Sequence, residues 1–420
     1  MPGAASGKHE VDVVVVGAGP GGSAAAYHLS RHGVNVLLVD RASFPREKVC
    51  GDGLTPRGVK VLLRMGIDPD EPGFERVKGL RIFSRKVMLE LPFPQLEEFP
   101  DYGLVRTRLD FDELLARRAE KAGARLLEGT EVLGPISSDG YVTGATIRDA
   151  REGGTGPTGE IRARYVIAAD GASSRFAGQA GVRRDATRPM GIAARRYYRI
   201  ERRPGPWLEA WMDLWEGDAQ LPGYGWFFPV ADGRSNIGAG LLNTFKGFKD
   251  LSAQRVFDAF VRMLPEDWNV NDDTADGRVL SGALPMGMNR SPPALPGMLL
   301  VGDAAGMVNP CNGEGIAYAM ESGEVAAELI HDALVTGRPG IAHMYPTVLR
   351  QRYGSYFHIG RGWVRALGHP PVMRALTEYG LPQAWLMRFA LRFLGNLTDG
   401  PKGDASDKVM EALLRLARAS

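Results

Sequence analysis

The chain has 420 residues, of which 44% are hydrophobic and 24% charged, a composition typical of a globular protein rather than of a disordered, collagen-like or disulfide-rich one. Its 51 basic and 49 acidic residues leave a formal charge of +2, which gives no field to attract a polyanion, so nucleic acid is not an expected partner. Two cysteines are too few for a disulfide framework or a thiolate zinc site. No metal site is expected.

The start of the chain, MPGAASGKHE, lacks the apolar core of a secretion signal. No apolar run approaches the ~18 residues that suggest a membrane-spanning helix. We therefore expect a cytoplasmic protein, which leaves open whether it lies on the cytoplasmic face of the membrane.

A strand–helix–strand unit comes first. Residues 11–16, VDVVVV, are typical of a strand buried on both faces. GAGPGG and the helical stretch SAAAYHLSRH follow, and VNVLLVD predicts a second strand. In this setting Gly17 permits a tight turn, Gly19 lets the backbone approach a pyrophosphate, and Gly22 allows close packing of helix on strand. The unit predicts a dinucleotide site.

Asp40 ends the second strand, at the position where a carboxylate accepts hydrogen bonds from a ribose. A capping aspartate in a glycine-rich turn is the other interpretation. We include the adjacent Arg41 in the same candidate site.

The middle of the chain predicts mixed structure. Thr55 and Pro56 mark the start of one helix, and LRIFSRKVMLELPF predicts antiparallel strands. Asp110 and Glu113 predict the start of a second helix. Arg108, just before it, is a candidate contact to the pyrophosphate or ring of a cofactor. From about 188 to 282, alternating aromatic and β-branched residues predict an inserted sheet.

Two later segments favour FAD over NAD. VIAADGASSR places Asp170 at a strand end, and MLLVGDAAGMVNPCNGEGIAYAM places Gly302 and Asp303 at another. A carboxylate there can bind the ribityl chain, and the helix that starts near Gly313, Gly315 and Ile316 can stabilise negative charge on a reduced isoalloxazine. FAD is therefore the predicted cofactor.

Alternate residues of YGWFFP, namely Tyr224, Trp226 and Phe228, project from one face of a strand. This face suits either an apolar tunnel or the core of the inserted sheet. Cys50 lies in a loop before a helix, a setting that favours a lowered thiol pKa or a place near the flavin; a small packing residue is the alternative. Cys311 is expected to pack against the cofactor loop.

With these motifs the chain resembles, up to about residue 345, the FAD-dependent oxidoreductases that include para-hydroxybenzoate hydroxylase. Within them, KVCGDGLTPRGV and YGWFFP are similar to the geranylgeranyl reductase family, and most similar to its actinobacterial menaquinone reductases. The residues that match the family's CxGD and YxWxFP motifs are Cys50, Gly51, Asp52, Tyr224, Trp226, Phe228 and Pro229. One departure is Leu221, where the family pattern has a proline.

The expected fold class is α/β, with a Rossmann-like FAD-binding domain, an inserted antiparallel β-sheet substrate domain and a helical C-terminal region. The FAD-binding domain is predicted over residues 1–75, 101–187 and 283–345. The sheet domain is predicted over 76–100 and 188–282, and the helical region over 346–420.

The resemblance implies reduction of an isolated double bond of a polyprenyl lipid or quinone, the tail of menaquinone foremost, by hydride from reduced flavin. It implies Cys50 and Asp52 as catalytic residues. Tyr224, Trp226 and Phe228 would contact the substrate. The electron donor is left open between NAD(P)H and a redox protein.

Two other functions stay open. One is an aromatic hydroxylase or halogenase, although the turn GAGPGGSAA lacks the lysine of halogenases. The other is a prenyl-binding protein without catalysis. The basic amphipathic end, VMEALLRLARAS, fits either a bilayer surface or a packed helix.

Overall fold

The computed structural model describes residues 8–85, 87–151 and 156–419. Most of the polar start MPGAASGKHE, residues 1–7, lies outside the described residues. In chain order the strands are β1 (Lys8–Val16), β2 (Val36–Val39), β3 (Gly53–Leu54), β4 (Glu75–Val77), β5 (Gly79–Phe83), β6 (Met88–Pro92), β7 (Gly103–Val105), β8 (Arg125–Leu127), β9 (Thr130–Ser138), β10 (Tyr141–Asp149), β11 (Thr158–Ala168), β12 (Arg183–Arg184), β13 (Met190–Tyr198), β14 (Trp207–Trp211), β15 (Leu214–Glu216), β16 (Ala219–Leu221), β17 (Tyr224–Pro229), β18 (Ser235–Leu242), β19 (Ala275–Pro285), β20 (Arg290–Ser291), β21 (Ala294–Leu295) and β22 (Met298–Leu300).

The α-helices are α1 (Pro20–Arg31), α2 (Pro56–Arg64), α3 (Arg108–Lys121), α4 (Arg175–Gln179), α5 (Ala253–Met263), α6 (Ile316–Thr336), α7 (Tyr345–Leu349), α8 (Ser355–Leu367), α9 (Pro370–Ala375), α10 (Ala384–Gly395) and α11 (Ala405–Ala419). Short 3₁₀ turns occur at Phe248–Asp250, Glu266–Trp268, Gly302–Ala305, Pro339–Met344 and Gly400–Lys402, and π turns at Arg350–Gly354 and Leu376–Gly380.

The first sheet has the strand order β21-β22-β11-β1-β2-β8, and β10 and β9 extend it from β11. The pairs from β22 to β8 are parallel. The consecutive valines of β1, Val13–Val16, are buried. Helices α1 and α6 pack against each other where a Cβ at Gly323 would overlap the backbone of Gly21. Because parallel strands end at one edge, the segments that follow β1, β2, β11 and β22 meet there.

The second sheet has the order β19-β13-β18-β17-β14-β5-β6. Its neighbours are antiparallel except for the parallel pair of β14 and β5. Helix α5 covers one face, where Phe257 and Phe260 pack with Phe227. On the other face the indole of Trp226 lies over Gly238, where any Cβ would overlap the ring. This sheet therefore has one face in a core and one face free to line a cavity.

The predicted fold class is confirmed: a parallel sheet flanked by helices, an inserted and mostly antiparallel sheet, and a helical C-terminal region. Strands of the second sheet lie in 79–92 and 190–285; the division into domains stays a prediction. The predicted start of a helix at Asp110 is wrong. Helix α3 begins at Arg108 with Thr107 as N-cap, because the Asp110 carboxylate pairs with Arg106.

The C-terminal helices cover both sheets. Tyr356 and Phe357 of α8 belong to the core of the first sheet. Leu391 of α10 packs against the second sheet near Leu208. In the parts of the chain that the structure describes, no helix combines the length and the apolar character that crossing a bilayer requires.

Candidate active site

A cavity of about 1140 Å³ lies where the two sheets and the C-terminal helices meet. The predicted site residues that line it are Gly17, Gly19, Asp40, Arg41, Cys50, Asp52, Arg108, Asp170, Tyr224, Trp226, Phe228, Gly302, Asp303, Gly313, Gly315 and Ile316. Gly22 does not line it. The structure therefore brings together segments from the first turn to the start of α6, while the role of each residue stays a prediction.

The glycines of the first turn differ in their surroundings. Gly17 has a φ of +101°, and a Cβ there would lie against the backbone of Ala169. A Cβ on Gly22 would overlap the carbonyl oxygen of Gly17. Gly19 faces the cavity, and a Cβ added to it would have the Arg46 side chain as its nearest neighbour, at 3.6 Å. Gly22 thus serves packing, and Gly19 leaves its backbone open to a ligand.

Asp40 caps the glycine turn and also lines the cavity, so its cofactor-binding role stays a prediction. Its carboxylate accepts hydrogen bonds from the backbone N–H groups of Ala18 and Ala42, each at 2.9 Å, so it holds the glycine turn. It also lines the cavity, with Arg46 3.4 Å away. Arg41 next to it is exposed at the rim.

Arg46 and Asp112 are site residues that the sequence did not reveal. Arg46 lies 3.0 Å from Asp112, which in turn binds Arg108 at 2.6 and 2.9 Å. Two cations therefore share one buried carboxylate beside the cavity. The i, i+4 spacing of Arg108 and Asp112 is a signal that would have found this pair.

Two further carboxylates end strands of the first sheet. Asp170 accepts hydrogen bonds from the Ser174 hydroxyl at 2.7 Å and from the Phe176 N–H at 3.1 Å, which caps α4. Burial raises the pKa of Asp170. Burial also raises the pKa of Asp303, against the opposing effect of Lys48.

Asp52 is fully buried and has a φ of +66°. Its carboxylate accepts hydrogen bonds from the Tyr197 hydroxyl at 2.5 Å, the Asn236 amide at 2.8 Å and the Arg108 N–H at 3.2 Å. Burial raises the pKa of Asp52 to about 6, although these donors work in the opposite direction. Asp52 is thus a carboxylate whose orientation is fixed by three different segments.

Asn236 links this loop to the aromatic strand, and sequence reasoning missed it. Its amide also donates to the Cys50 carbonyl at 2.8 Å, and its Oδ1 accepts from the Trp226 indole at 2.9 Å. In the β17–β18 register, Asn236 stands opposite Phe228. Asn236 lies between the CxGD loop and the YxWxFP strand only in the folded structure, so the sequence gives no sign of this position.

The predicted lowering of the Cys50 pKa is wrong. Burial raises the pKa of the Cys50 thiol, and the nearby Arg108 does not offset this effect. The thiol is therefore protonated at neutral pH. Burial likewise raises the pKa of Tyr224 to about 12, with a contribution from Cys50, so this hydroxyl also keeps its proton. Burial raises the pKa of Cys311 to about 12.

Tyr224, Trp226 and Phe228 form a row on the cavity face of β17. Successive ring centroids are 6.0 and 6.4 Å apart. A Cβ on Gly51 or on Gly53 would lie 3.3 Å from the Phe228 ring, so the loop that carries Cys50 rests on this row. Phe227 points to the opposite face, 5.6 Å from Trp268.

Glu314 is another residue that the sequence did not single out. Its Oε1 accepts a hydrogen bond from the Thr55 hydroxyl at 2.6 Å, while Oε2 is buried without a partner among the described residues. Burial raises the pKa of Glu314 to about 7. This side chain joins the N-terminal end of α2 to the turn before α6.

The C-terminal helices close the apolar end of the cavity. Apolar side chains from α8, α9, α10 and the turn between the last two share this role. They include Ile359, Trp363, Met373, Leu376, Leu381, Leu386, Met387, Phe389 and Phe393. Sequence reasoning predicted helices here but not what they cover.

The residues present fit FAD. The backbone at the N-terminal ends of α1 and α6 borders the cavity, where helix dipoles favour phosphate or a negatively charged ring. Arg46 and Arg108 add positive charge, and Asp40 adds a hydrogen-bond acceptor. Gly19 leaves the approach to the first helix open.

Comparison with known proteins supports FAD as the cofactor. A family model described as an FAD binding domain matches residues 10–202. The chain is 36% identical over 412 residues to a menaquinone reductase of Mycobacterium tuberculosis, covering 97% of this chain and 96% of that protein. It is 32% identical over 358 residues to a digeranylgeranylglycerophospholipid reductase of Thermoplasma volcanium, covering 84% and 86%. A geranylgeranyl bacteriochlorophyll reductase-like structure from Thermoplasma acidophilum has a TM-score of 0.78 at 26% identity, covering 97% and 100%.

Proposed function

Because the chain belongs to the geranylgeranyl reductase family, FAD-dependent oxidoreductases that act on carbon–carbon double bonds, we propose that it saturates an isolated double bond in the isoprenoid tail of menaquinone. One observation carries the proposal: a single cavity joins the glycine turns that suit FAD to an apolar end lined by β17 and the C-terminal helices. The 36% identity to a menaquinone reductase supports the quinone tail over other polyprenyl chains.

FAD is held in this proposal by the turns at the ends of β1, β2, β11 and β22 and by the N-terminal end of α6. When bound and reduced, it supplies the hydride for the double bond. The row of Tyr224, Trp226 and Phe228 orients the prenyl chain and excludes water. An isolated alkene has no carbonyl to spread charge, so a dry cavity and near-attack geometry are required.

The hydride adds to one carbon of the double bond, and the other carbon must receive a proton. We assign this proton to Cys50 or to a water beside it. The raised thiol pKa keeps a proton on Cys50 at neutral pH, which a proton donor requires. Asp52 and Asn236 hold the loop in place through the Cys50 carbonyl and the buried carboxylate. Asp52 is therefore a positioning residue: it helps to hold the loop that carries Cys50.

The electron donor in this proposal is NAD(P)H that docks transiently near Asp170, or a redox protein at the same edge. Peripheral contact with the cytoplasmic face of the membrane belongs to the proposal as well, because a quinone tail resides in lipid. We also propose the division of the chain into a discontinuous FAD-binding domain and an inserted sheet domain that binds the substrate.

The test is anaerobic turnover. Purified protein with reduced flavin is mixed with menaquinone bearing an unsaturated tail, and the quinone is analysed by mass spectrometry. We expect a gain of two hydrogens per reduced bond. Turnover that consumes oxygen would instead identify a hydroxylase or halogenase, and a colourless protein that binds the quinone would identify a prenyl-binding protein.

The proposed proton role of Cys50 has its own test. Cys50→Ala is expected to retain flavin but to lose about two orders of magnitude in turnover, the usual contribution of a general acid. Cys311→Ala is the matched control, because that thiol lies at the cavity but has no proposed role. Unchanged turnover of Cys50→Ala would show that the proton comes from elsewhere.

A further inference from the structure

The segment of residues 370–395, comprising α9, the π turn and α10, has two unlike faces. Its inner side chains, Met373, Leu376, Leu381, Leu386, Met387 and Phe389, line the apolar end of the cavity. On the outside, Tyr379 is 73% exposed and Trp385 is 69% exposed, and Val372 is exposed too. A wall that is apolar inside and aromatic outside is unusual for a surface that faces only water.

The charge around this outer face is basic. Within 370–395 there are three arginines and one acidic residue. Arg392 is held by Asp404 and Asp407, whereas Arg374 and Arg388 are exposed and have no carboxylate within ion-pair distance among the described residues. Exposed aromatic rings beside unpaired arginines are the pattern found at membrane interfaces.

The neighbouring helix adds to this charge. Helix α8 packs against α9 and carries Arg361 and the exposed Arg365. Burial, with Arg188 and Arg365 nearby, lowers the pKa of Arg361 to about 10. The Asp185 carboxylate works in the opposite direction but does not cancel the effect. Arg188, Arg361 and Arg365 thus stand close together near the start of β13 and on α8, the helix that contacts α9, and this charge favours an anionic surface over a neutral one.

We propose that the outer face of the 370–395 segment docks on an anionic lipid bilayer, with Tyr379 and Trp385 at the level of the headgroups. The partner is a bilayer because the same helices enclose the apolar end of the cavity, so docking through them would place that end next to the acyl chains that hold a lipid tail. The entry of a lipid tail rests on the proposed function, whereas the docking on a bilayer does not.

The C-terminal helix α11 is a less suitable contact. Its Met410 is buried and Leu414 packs on the core of the first sheet, so part of its apolar face is already used inside the protein. Leu416, 70% exposed on the same helix, provides a matched control of equal exposure. Of the two interpretations left open for the C-terminal stretch, a bilayer surface or a packed helix, these contacts favour the packed helix.

The experiment is co-sedimentation of the flavin-loaded full chain with phosphatidylcholine vesicles that contain or lack phosphatidylglycerol. Trp385→Ser with Tyr379→Ser is expected to weaken binding about tenfold or more, since two aromatic side chains leave the interface. Arg374→Gln and Arg388→Gln are each expected to weaken binding about fivefold on anionic vesicles only. Leu416→Ser is expected to leave binding unchanged.

Flavin absorbance and turnover of a short-chain, water-soluble prenylquinone check that each variant is folded; neither is expected to change. Docking is overturned if the parent protein does not sediment with anionic vesicles, or if Leu416→Ser loses binding while the aromatic variant keeps it. It is overturned as well if the aromatic variant binds as the parent does. Binding that responds as expected in a protein that reduces no quinone supports docking and refutes the proposed function alone.

Discussion

Two buried carboxyl groups at the site differ in their hydrogen bonds. Asp52 accepts from three donors, whereas Glu314 accepts from Thr55 on one oxygen only. Both have a raised pKa because burial disfavours the charged form. The charged form of Asp52 is thus stabilised by more hydrogen bonds than that of Glu314. Glu314 therefore keeps its proton to a higher pH than Asp52 does.

Glu314→Gln should change how stability depends on pH. The pKa of Glu314 is about 7 in the folded protein and 4.5 ordinarily. The folded state binds the Glu314 proton more tightly than the unfolded state, so the proton adds to the free energy of unfolding. This stabilisation is complete below pH 4.5 and is lost as the pH rises through 7. Relative to the variant, the parent should lose on the order of 3 kcal/mol of unfolding free energy over that range.

Urea unfolding at a series of pH values measures this difference. Glu266→Gln is the control, because it makes the same change of side chain at an exposed position. A constant difference between parent and Glu314→Gln would contradict the burial of a titrating carboxyl at this position.

Three of the residues missed from the sequence, Tyr197, Asn236 and Glu314, share one cause. Tyr197 and Asn236 are 145 and 184 positions from Asp52, and Glu314 is 259 positions from Thr55. Glycine turns and strand-end carboxylates carry a local pattern, so they could be recognised. A partner that arrives from another sheet has no local pattern. Cys50 shows the same limit, because its pKa is set by burial that its loop sequence does not encode.

At the scale of elements, the two faces of strand β17 could be predicted because its alternation is local. Adjacent residues point to opposite faces of a strand, and Phe227 and Phe228 follow this rule. The start of α3 was predicted wrongly because Arg106 competes for the carboxylate that the capping pattern needs. Periodicity thus predicts which way a side chain points, whereas a helix start depends on a side-chain partner.

The two phenylalanines form a matched pair for testing β17. Phe228→Leu is expected to raise the KM for a prenylquinone about tenfold, because an apolar contact with the chain is reduced, with little change in stability. Phe227→Leu is expected to lower the unfolding free energy by about 1 kcal/mol and leave KM unchanged. Steady-state kinetics and urea unfolding give both values; equal effects on KM would show that the faces do not have separate tasks.

At the scale of the molecule, a buried polar network ties the C-terminal helices to the flavin side. Arg57 of α2 donates to the Asn396 carbonyl at 2.6 Å and to Glu321 at 2.8 Å. Asn309, in the turn before α6, donates to the Leu394 carbonyl at 3.1 Å. The end of α10 is therefore anchored on residues that adjoin the cofactor turn. Sequence reasoning gave a helical region here, but not its role as a cavity wall.

Arg57→Met should loosen this anchor. It leaves the buried Glu321 without its cation, at a cost of about 3–5 kcal/mol, and it frees the Asn396 carbonyl. Hydrogen exchange in residues 384–397 is expected to accelerate, while α1 keeps its protection. Arg64→Met on the same helix is the control, because Arg64 is 41% exposed in its pair with Glu324, against 11% for Arg57, and a more exposed cation contributes less to stability. Exchange that accelerates equally in both variants would contradict the anchor.

The continuity of the cavity has a consequence for the order of assembly. Since its polar and apolar ends form one space, a prenyl chain that entered first would obstruct the way to the glycine turns. We therefore expect FAD to bind before the substrate, and we expect a bound substrate to close the path by which FAD would leave. Flavin loss after dilution should accordingly be slower with quinone present than without it.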